Sequence, residues 1–348
     1  MSRKMIGALA ALGCSAGLAH ADTAVTENTT VGGTGFFDLT SLDSRDSSDN
    51  KTVASGVGVD VSRFYLTATH TFDSIWSANI TTDFNYSSTT GETQLFVKKA
   101  YLQGKVSDAF FARIGSADLA WIPFVESLYG YRFVEKTVID RTSFGTSADW
   151  GVHAGGKLGD GAFSYAASIV NGRGYKNPTR SNGVDFEARV GFVPLKGLTL
   201  GLGAYSGKRG QDYAVVSSTY PEAVRSATRV DAVAAYVNDK FRIGAEYFTA
   251  SNWNNIVSTT VKDKADGFSA WGSVNFTPTV SAFARYDNDK PNKDTNSDKK
   301  EDYYNAGVAF VARKNVNFAV AYKHDEVKDG SVTSTKYDEI GVWASTTF

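Results

Sequence analysis

Apolar and polar residues alternate with a period of two along most of this chain, and that pattern is what most limits its fold. In residues 77–86, Ala78, Ile80, Phe84 and Tyr86 share one face, while Ser77, Asn79, Thr81, Asp83 and Asn85 share the other. Residues 184–193 set Val184, Phe186, Ala188, Val190 and Phe192 against Asp185, Glu187, Arg189, Gly191 and Val193. Residues 241–249 set Phe241, Ile243, Ala245 and Tyr247 against Arg242, Gly244, Glu246 and Phe248. A strand turns successive side chains to opposite faces, whereas a helix would scramble these sets.

The interruptions come in two lengths. Short turn signals lie near Asp73-Ser74, Ser107-Asp108, Gly159 to Gly161, Pro194 to Gly197, Asn238 to Lys240, Thr277-Pro278 and Lys314-Asn315. Longer polar stretches lie between them, near 42–56, 88–92, 118–148, 172–183, 208–227, 251–265, 288–301 and 326–336. Seven short connections alternating with eight long ones predict sixteen antiparallel strands, at roughly 20 residues per strand plus connection, which suits membrane strands of about 9–11 residues. The expected fold is an all-β, sixteen-stranded antiparallel transmembrane barrel with its third long loop folded into the pore.

The first residues have a separate role. Arg3 and Lys4 precede an apolar stretch from Met5 to Leu18, and Ala19-His20-Ala21 reads as a cleavage site. This is a secretory leader over 1–21, leaving 22–348 as the barrel domain. The single cysteine, Cys14, lies in the leader, so no disulfide scaffold is available to the exported chain. The whole chain has 36 basic and 37 acidic residues, which gives no electrostatic case for nucleic-acid binding.

Aromatic positions test the membrane reading against a soluble β-sandwich. Phe72, Trp76, Phe163, Phe192, Tyr236, Phe241, Phe276 and Phe318 flank the short turns, each on the apolar parity of its strand. Tyr86, Tyr247, Tyr286, Tyr304 and Tyr322 share that parity near the long loops. Two such rows bounding an apolar band are the interfacial girdles expected in lipid. Phe348 ends the last strand, on the parity of Ile340, Val342, Ala344 and Thr346, and resembles a barrel-assembly signal. The apolar parity carries no charge in these strands, with one difficulty: Lys98 and Lys99 cannot both point inward in an unbroken strand.

Barrels of sixteen strands enclose water. The longest connection, 118–148, follows the fifth strand and contains Trp121, Ile122, Phe124, Phe133 and Val138, too apolar for a disordered loop. Folded inward, it would narrow the lumen; packed over the rim or a neighbouring subunit, it would not.

Residues 113–132 (R-I-G-S-A-D-L-A-W-I-P-F-V-E-S-L-Y-G-Y-R), residues 149–175 with G-V…G…L…G…Y…N-G-x-G, and K-K-A-Y-L at 98–102 resemble the phosphate-selective porin O and P family of Gram-negative outer membranes. The resemblance covers about 57–195, and elsewhere rests on strand pattern alone. It implies a homotrimer whose third loop constricts the pore, set among outer-membrane lipid and lipopolysaccharide.

Phosphate capture needs many cations with few compensating acids. By parity the inward basic residues are Arg63, Lys99, Arg113, Arg189, Arg229, Arg242, Arg285 and Lys323; the acids are Asp83, Asp185, Glu187, Asp231, Glu246, Asp287 and Glu339. The loop adds Asp118, Glu126, Glu135 and Asp140 against Arg132, Lys136 and Arg141. This near balance predicts a transverse field, a basic wall opposite an acidic loop, and weak selectivity among small hydrophilic solutes or ions. Two charges about 8 Å apart across water interact by only about 0.5 kcal/mol, so strict selection needs a dense ladder. Candidate constriction and solute-contact residues are Arg63, Lys99, Arg113, Asp118, Glu126, Arg132, Glu135, Lys136, Arg141, Arg189, Arg242 and Arg285. The same arginines could instead brace the wall, Arg189 pairing with Asp185 and Glu187, and Arg242 with Glu246.

Other chemistry has little support. His70, His153 and His324 accompany no nucleophile motif, no Cys–His metal pattern exists, and no cofactor is expected. Residues 201–207 (G-L-G-A-Y-S-G) are glycines of a strand rather than a dinucleotide loop. The acidic run at 287–302 lacks the glycine of an EF-hand and reads as a solvated surface loop. A barrel whose loops bind something outside, as an adhesin or phage receptor, is the competing functional class.

Overall fold

The computed structural model describes residues 23–87, 92–211, 225–256 and 261–348. The expected leader lies outside the described residues, as do parts of the expected loops at 88–92, 208–227 and 251–265. A short strand, β1 (Thr23–Thr26), folds back on β2 (Thr29–Asp46) as a hairpin arm. From β2 each strand pairs antiparallel with the next: β3 (Gly56–Thr71), β4 (Trp76–Ser87), β5 (Glu92–Ser107), β6 (Phe110–Asp118), β7 (Ala148–Leu158), β8 (Phe163–Val170) and β9 (Asp185–Leu195). The meander continues through β10 (Leu198–Gly207), β11 (Ala227–Val237), β12 (Phe241–Ser251), β13 (Lys264–Thr277), β14 (Val280–Lys290), β15 (Lys299–Arg313), β16 (Val316–Asp329) and β17 (Val332–Thr347). β17 then pairs with β2, from Thr335 opposite Asp46 to Thr347 opposite Thr34, closing a barrel of 16 long strands. Closure leaves no sheet edge to aggregate.

Burial is inverted relative to a soluble protein. Ile80, Ile114, Ile169, Phe186, Val190, Leu202, Val230, Ile243, Val320 and Ile340 are exposed on the outer face. Asp83, Asp185, Glu187, Asp231, Glu246 and Asp287, on the opposite parity, are buried inside. An apolar belt of this extent needs a hydrocarbon solvent. Aromatic rings bound it as expected at the short turns: Phe163 stacks on Phe192 at 4.7 Å, Phe310 on Phe318 at 5.4 Å, and Tyr236 lies 5.6 Å from Phe241. Phe72, Trp76 and Phe276 stand exposed in the same row. Phe348 exchanges two backbone hydrogen bonds with Gly33 (2.8 and 3.0 Å) and sets its ring 6.0 Å from Phe64, at the closing seam. At the other rim Tyr247, Tyr286, Tyr304 and Tyr322 face outward.

Two sequence expectations need correction. The stretch 326–336 is no loop: Val327 pairs with Thr335 and Lys328 with Thr333, so β16 and β17 run on to a two-residue turn. Its polarity marks the point where the hairpin leaves lipid, not where the ladder ends, because a strand in water needs no apolar face. The Lys98 difficulty also has a structural answer. Thr81 pairs with Lys99 and Thr82 with Val97, so Lys98 is the extra residue of a β-bulge. A bulge resets the alternation locally, and both lysines turn inward.

Candidate functional site: the narrowed lumen

The third long loop lies inside the barrel and carries α1 (Ile122–Tyr129) and α2 (Val138–Arg141). Trp121, Ile122, Val125, Leu128, Val138, Ile139 and Phe144 bury against Tyr205, Val233, Phe248, Trp253 and Trp271 of the wall and its loops. Val134 packs farther round, with Phe283, Ala319 and Trp343. Burying such side chains contributes about 1.5–3 kcal/mol each, enough to hold a loop of this length inward. Inward glycines of β10 make the room: a Cβ on Gly203 would come within 2.4 Å of the Trp121 ring, and one on Gly201 within 2.5 Å of Phe124. The glycines of 201–207 therefore belong to a strand, as the sequence suggests, and serve as a trough for the loop.

Charge fixes the ends of α1. The Glu187 carboxylate accepts the Trp121 backbone N–H at 2.9 Å, beside the helix N-terminus. Arg242 donates to the Ser127 carbonyl at 3.1 Å, at the C-terminus. Each charge opposes the helix dipole at its end. The Trp121 indole N–H donates to Glu246 at 2.6 Å.

Several predicted solute-contact residues are tethers of this kind. Arg141 reaches from α2 to Asp287 at 3.2 Å and Asp325 at 2.9 Å, and also bonds Glu301. Arg285 pairs with Asp287 at 2.7 Å and donates to the Lys136 carbonyl. Arg229 joins Asp231 (2.8 Å) and Glu187 (3.0 Å) and donates to the Phe144 carbonyl. Arg189 donates to the Ala120 carbonyl and Ser164, both at 2.9 Å, with Phe124 beneath its guanidinium. Among the described residues no ion pair joins Arg189 to Asp185 or Glu187, or Arg242 to Glu246: both arginines donate to carbonyls of the loop, whose backbone has no ladder of its own.

The expected transverse field is corrected as well. The loop acids are already paired: Glu126 with Arg132 at 2.5 Å and Asp140 3.6 Å from Arg132 within the loop, and Glu135 with Lys323 of the wall at 3.3 Å. Burial disfavours the Glu135 carboxylate, yet Lys323, the Lys136 N–H and Arg141 outweigh that and hold it down to about 2. Asp118, at the loop's entrance, pairs with Lys99 at 2.6 Å. Toward the open wall the loop thus presents two cations, Arg132 and Lys136, and one carboxylate, Asp140.

Between loop and open wall lies a polar strait of about 190 Å³. Arg63, Lys98, Tyr175 and Lys176 line it from the wall side; Arg132, Lys136, Asp140, Ser143, Thr146 and Ser147 line it from the loop. That is five cations and one carboxylate, with Asp83 behind Arg63 at 3.6 Å. Burial, and then the Arg63 guanidinium, depress the Lys176 ammonium, with Asp83 acting the other way. Of the predicted residues, Arg63, Arg132 and Lys136 meet here. Arg113 faces the lumen apart from the strait, donating to Gln103 at 2.8 Å, with Tyr101 and Phe111 within 4.7 Å of its guanidinium. Sequence reasoning missed Lys98, Tyr175 and Lys176. For Lys98 the tandem lysine was the available signal; for the other two, in a polar loop, there was none.

Among the described residues no group of three His, Cys, Asp or Glu side chains could hold a metal ion. No protein-family model matches the sequence, and no curated protein does. Solved structures do resemble the fold. The outer membrane channel DcaP of Acinetobacter baumannii superposes with TM-score 0.65 at 13% identity, over 94% of this chain and 99% of its own. OmpF of Salmonella typhi, solved with daunomycin, gives 0.65 at 12%, over 93% and 99%. An anion-selective porin from Comamonas acidovorans gives 0.61 at 10%, over 91% and 99%. At these identities the likeness is one of fold: the chain has the sixteen-stranded barrel of outer-membrane porins.

Proposed function

We propose that this chain is an outer-membrane porin, a water-filled channel through which small hydrophilic solutes and ions diffuse with weak selectivity. The observation that carries the reading is the third loop, held inside the barrel by its own apolar face yet leaving a strait lined by charged and hydroxyl side chains. A loop standing outside would have favoured the adhesin or receptor reading. The chain resides in the outer membrane of a Gram-negative bacterium, exported by the leader at 1–21, with lipid and lipopolysaccharide around it. OmpT of Vibrio cholerae, a neighbour at TM-score 0.59 solved in trimer form, supports a homotrimer here.

A second reading, an anion preference, is favoured by the excess of cations in the strait. The narrower phosphate-selective assignment rests on the sequence resemblance alone. Asp83, Asp118, Glu126 and Asp140 stand against it, since each offsets a cation that a phosphate ladder would need. Purified protein in a planar bilayer under a KCl gradient tests both levels. Ohmic conductance with a modest anion reversal potential is expected. A barrel that inserts and does not conduct would overturn the channel reading; conductance with a cation reversal potential would overturn only the second.

A further inference from the structure

Lys98 differs from the two arginines of the strait and from its neighbour Lys99. Arg63, Lys99 and Arg132 each lie within 4 Å of a carboxylate: Asp83, Asp118, and Glu126 with Asp140. Among the described residues Lys98 has no such partner. Its ammonium donates one hydrogen bond, to the Tyr65 hydroxyl at 3.0 Å, and sits 4.2 Å over the Tyr65 ring and 5.7 Å from that of Tyr175. The residue is 9% exposed and lines the polar strait. An aromatic face holds a cation through its quadrupole and leaves the unit charge uncancelled, which a carboxylate does not.

The backbone device that delivers it is specific to this strand. Without the bulge opposite Thr81-Thr82, the alternation of β5 would aim Lys98 at lipid. With it, a buried ammonium faces the loop, where Lys136 has no ion pair among the described residues. We propose that Lys98 is the main determinant of ion selection in this channel: a positive charge seated against two tyrosine rings, with no carboxylate of the described residues within 4 Å, on the lining of the polar strait. This rests on the channel reading above and goes beyond it by naming the residue.

The test is the reversal potential of K98Q and K98R in a planar bilayer under a KCl gradient, with heat-modifiable gel mobility as the check on folding. K98Q should lower the chloride-to-potassium permeability ratio by about threefold or more, since a charge beside a narrow, poorly screened passage acts at close range. K98R should keep the wild-type ratio. Unchanged selectivity in folded K98Q would overturn the proposal. Should K98Q fail to fold, K98M, whose unbranched apolar chain can keep the contact with the Tyr65 ring, is measured in the same way. It should lose anion preference as K98Q would; an unchanged ratio in folded K98M would overturn the proposal as surely. A wild type that does not conduct sinks the channel reading itself, so the two failures are distinguishable.

Discussion

The two sides of the lumen hold their cations in different ways. Where the third loop meets β9 to β17, Arg141 of α2 and Arg229, Arg285 and Lys323 of the wall are each met by carboxylates, several fully buried. On the open wall Arg63 and Lys99 also meet carboxylates, but Lys98 and Arg113 rest on tyrosine and phenylalanine rings instead. The first arrangement cancels charge and ties a loop to a wall. The second positions charge without cancelling it, so that passing solute still feels it. Whether a lumenal arginine belongs to architecture or to permeation is therefore set by what holds it, not by which way it points.

The largest expected effect follows from cutting a tether. Arg141 links α2 to Asp287, Glu301 and Asp325 on three different strands, and its side chain is 8% exposed. Arg141→Ala leaves those acids buried without their shared partner, at a cost of about 3–5 kcal/mol. The urea midpoint of the refolded barrel in vesicles should fall accordingly, and single-channel conductance should rise as the loop loosens. A variant with unchanged midpoint and conductance would break the division between the two walls.

The outer face offers the next test. Val190 is exposed at the centre of β9, within the apolar belt. Val190→Arg should destabilise by about 2–4 kcal/mol in lipid, the cost of a lipid-facing cation near the midplane. The neighbouring inward Arg189 shows that the same residue type one position away is accommodated. Equal stability of wild type and V190R in bilayers would mean that this face meets water or protein instead.

What the sequence made legible was the periodic part. Alternation and turn chemistry located all sixteen long strands, the inward parity of Asp83, Glu187 and Glu246, and the third loop's apolar content. The misreadings sit where local pattern stops carrying the information. Lys98 turns inward through a bulge, and which of two tandem residues is extra depends on the partner strand. Arg189 and Arg242 find loop carbonyls distant in sequence. Tyr175 and Lys176 reach the strait from a loop with no periodicity at all. The strands are local, whereas the strait is an encounter of four segments.

The loop's acids give a prediction in pH. The Glu135 carboxyl is held down to about 2, against an ordinary glutamate near 4.3. A depressed carboxylate contributes stability that is fully present above its unfolded value and is lost as pH falls through its folded value. The Glu135–Lys323 tether should thus be intact from neutral pH to about 4 and fade between about 4 and 2. The stability gap between wild type and Glu135→Gln measures it: constant above that window and closing within it. A gap that closes between pH 7 and 5 would mean that Lys323 serves Glu339 (3.2 Å) instead.

The smallest effect on stability, and the sharpest for the comparison, belongs to Arg113. It makes no ion pair among the described residues; Gln103 and two rings hold it. Such cation–π seats contribute about 0.5–1 kcal/mol where water has access, so Arg113→Gln should lower stability by no more than about 1 kcal/mol. Yet it removes an unneutralised positive charge from the lumen wall, and the reversal potential should move toward potassium, by less than for K98Q because Arg113 lies outside the strait. Arg141→Ala should do the reverse: a large loss of stability, with a change in conductance greater than any change in ion preference. Both variants remove one arginine facing the same lumen. If their stability and selectivity effects proved alike, ring-held and carboxylate-held cations would be equivalent here, and the distinction between the two walls would have no physical content.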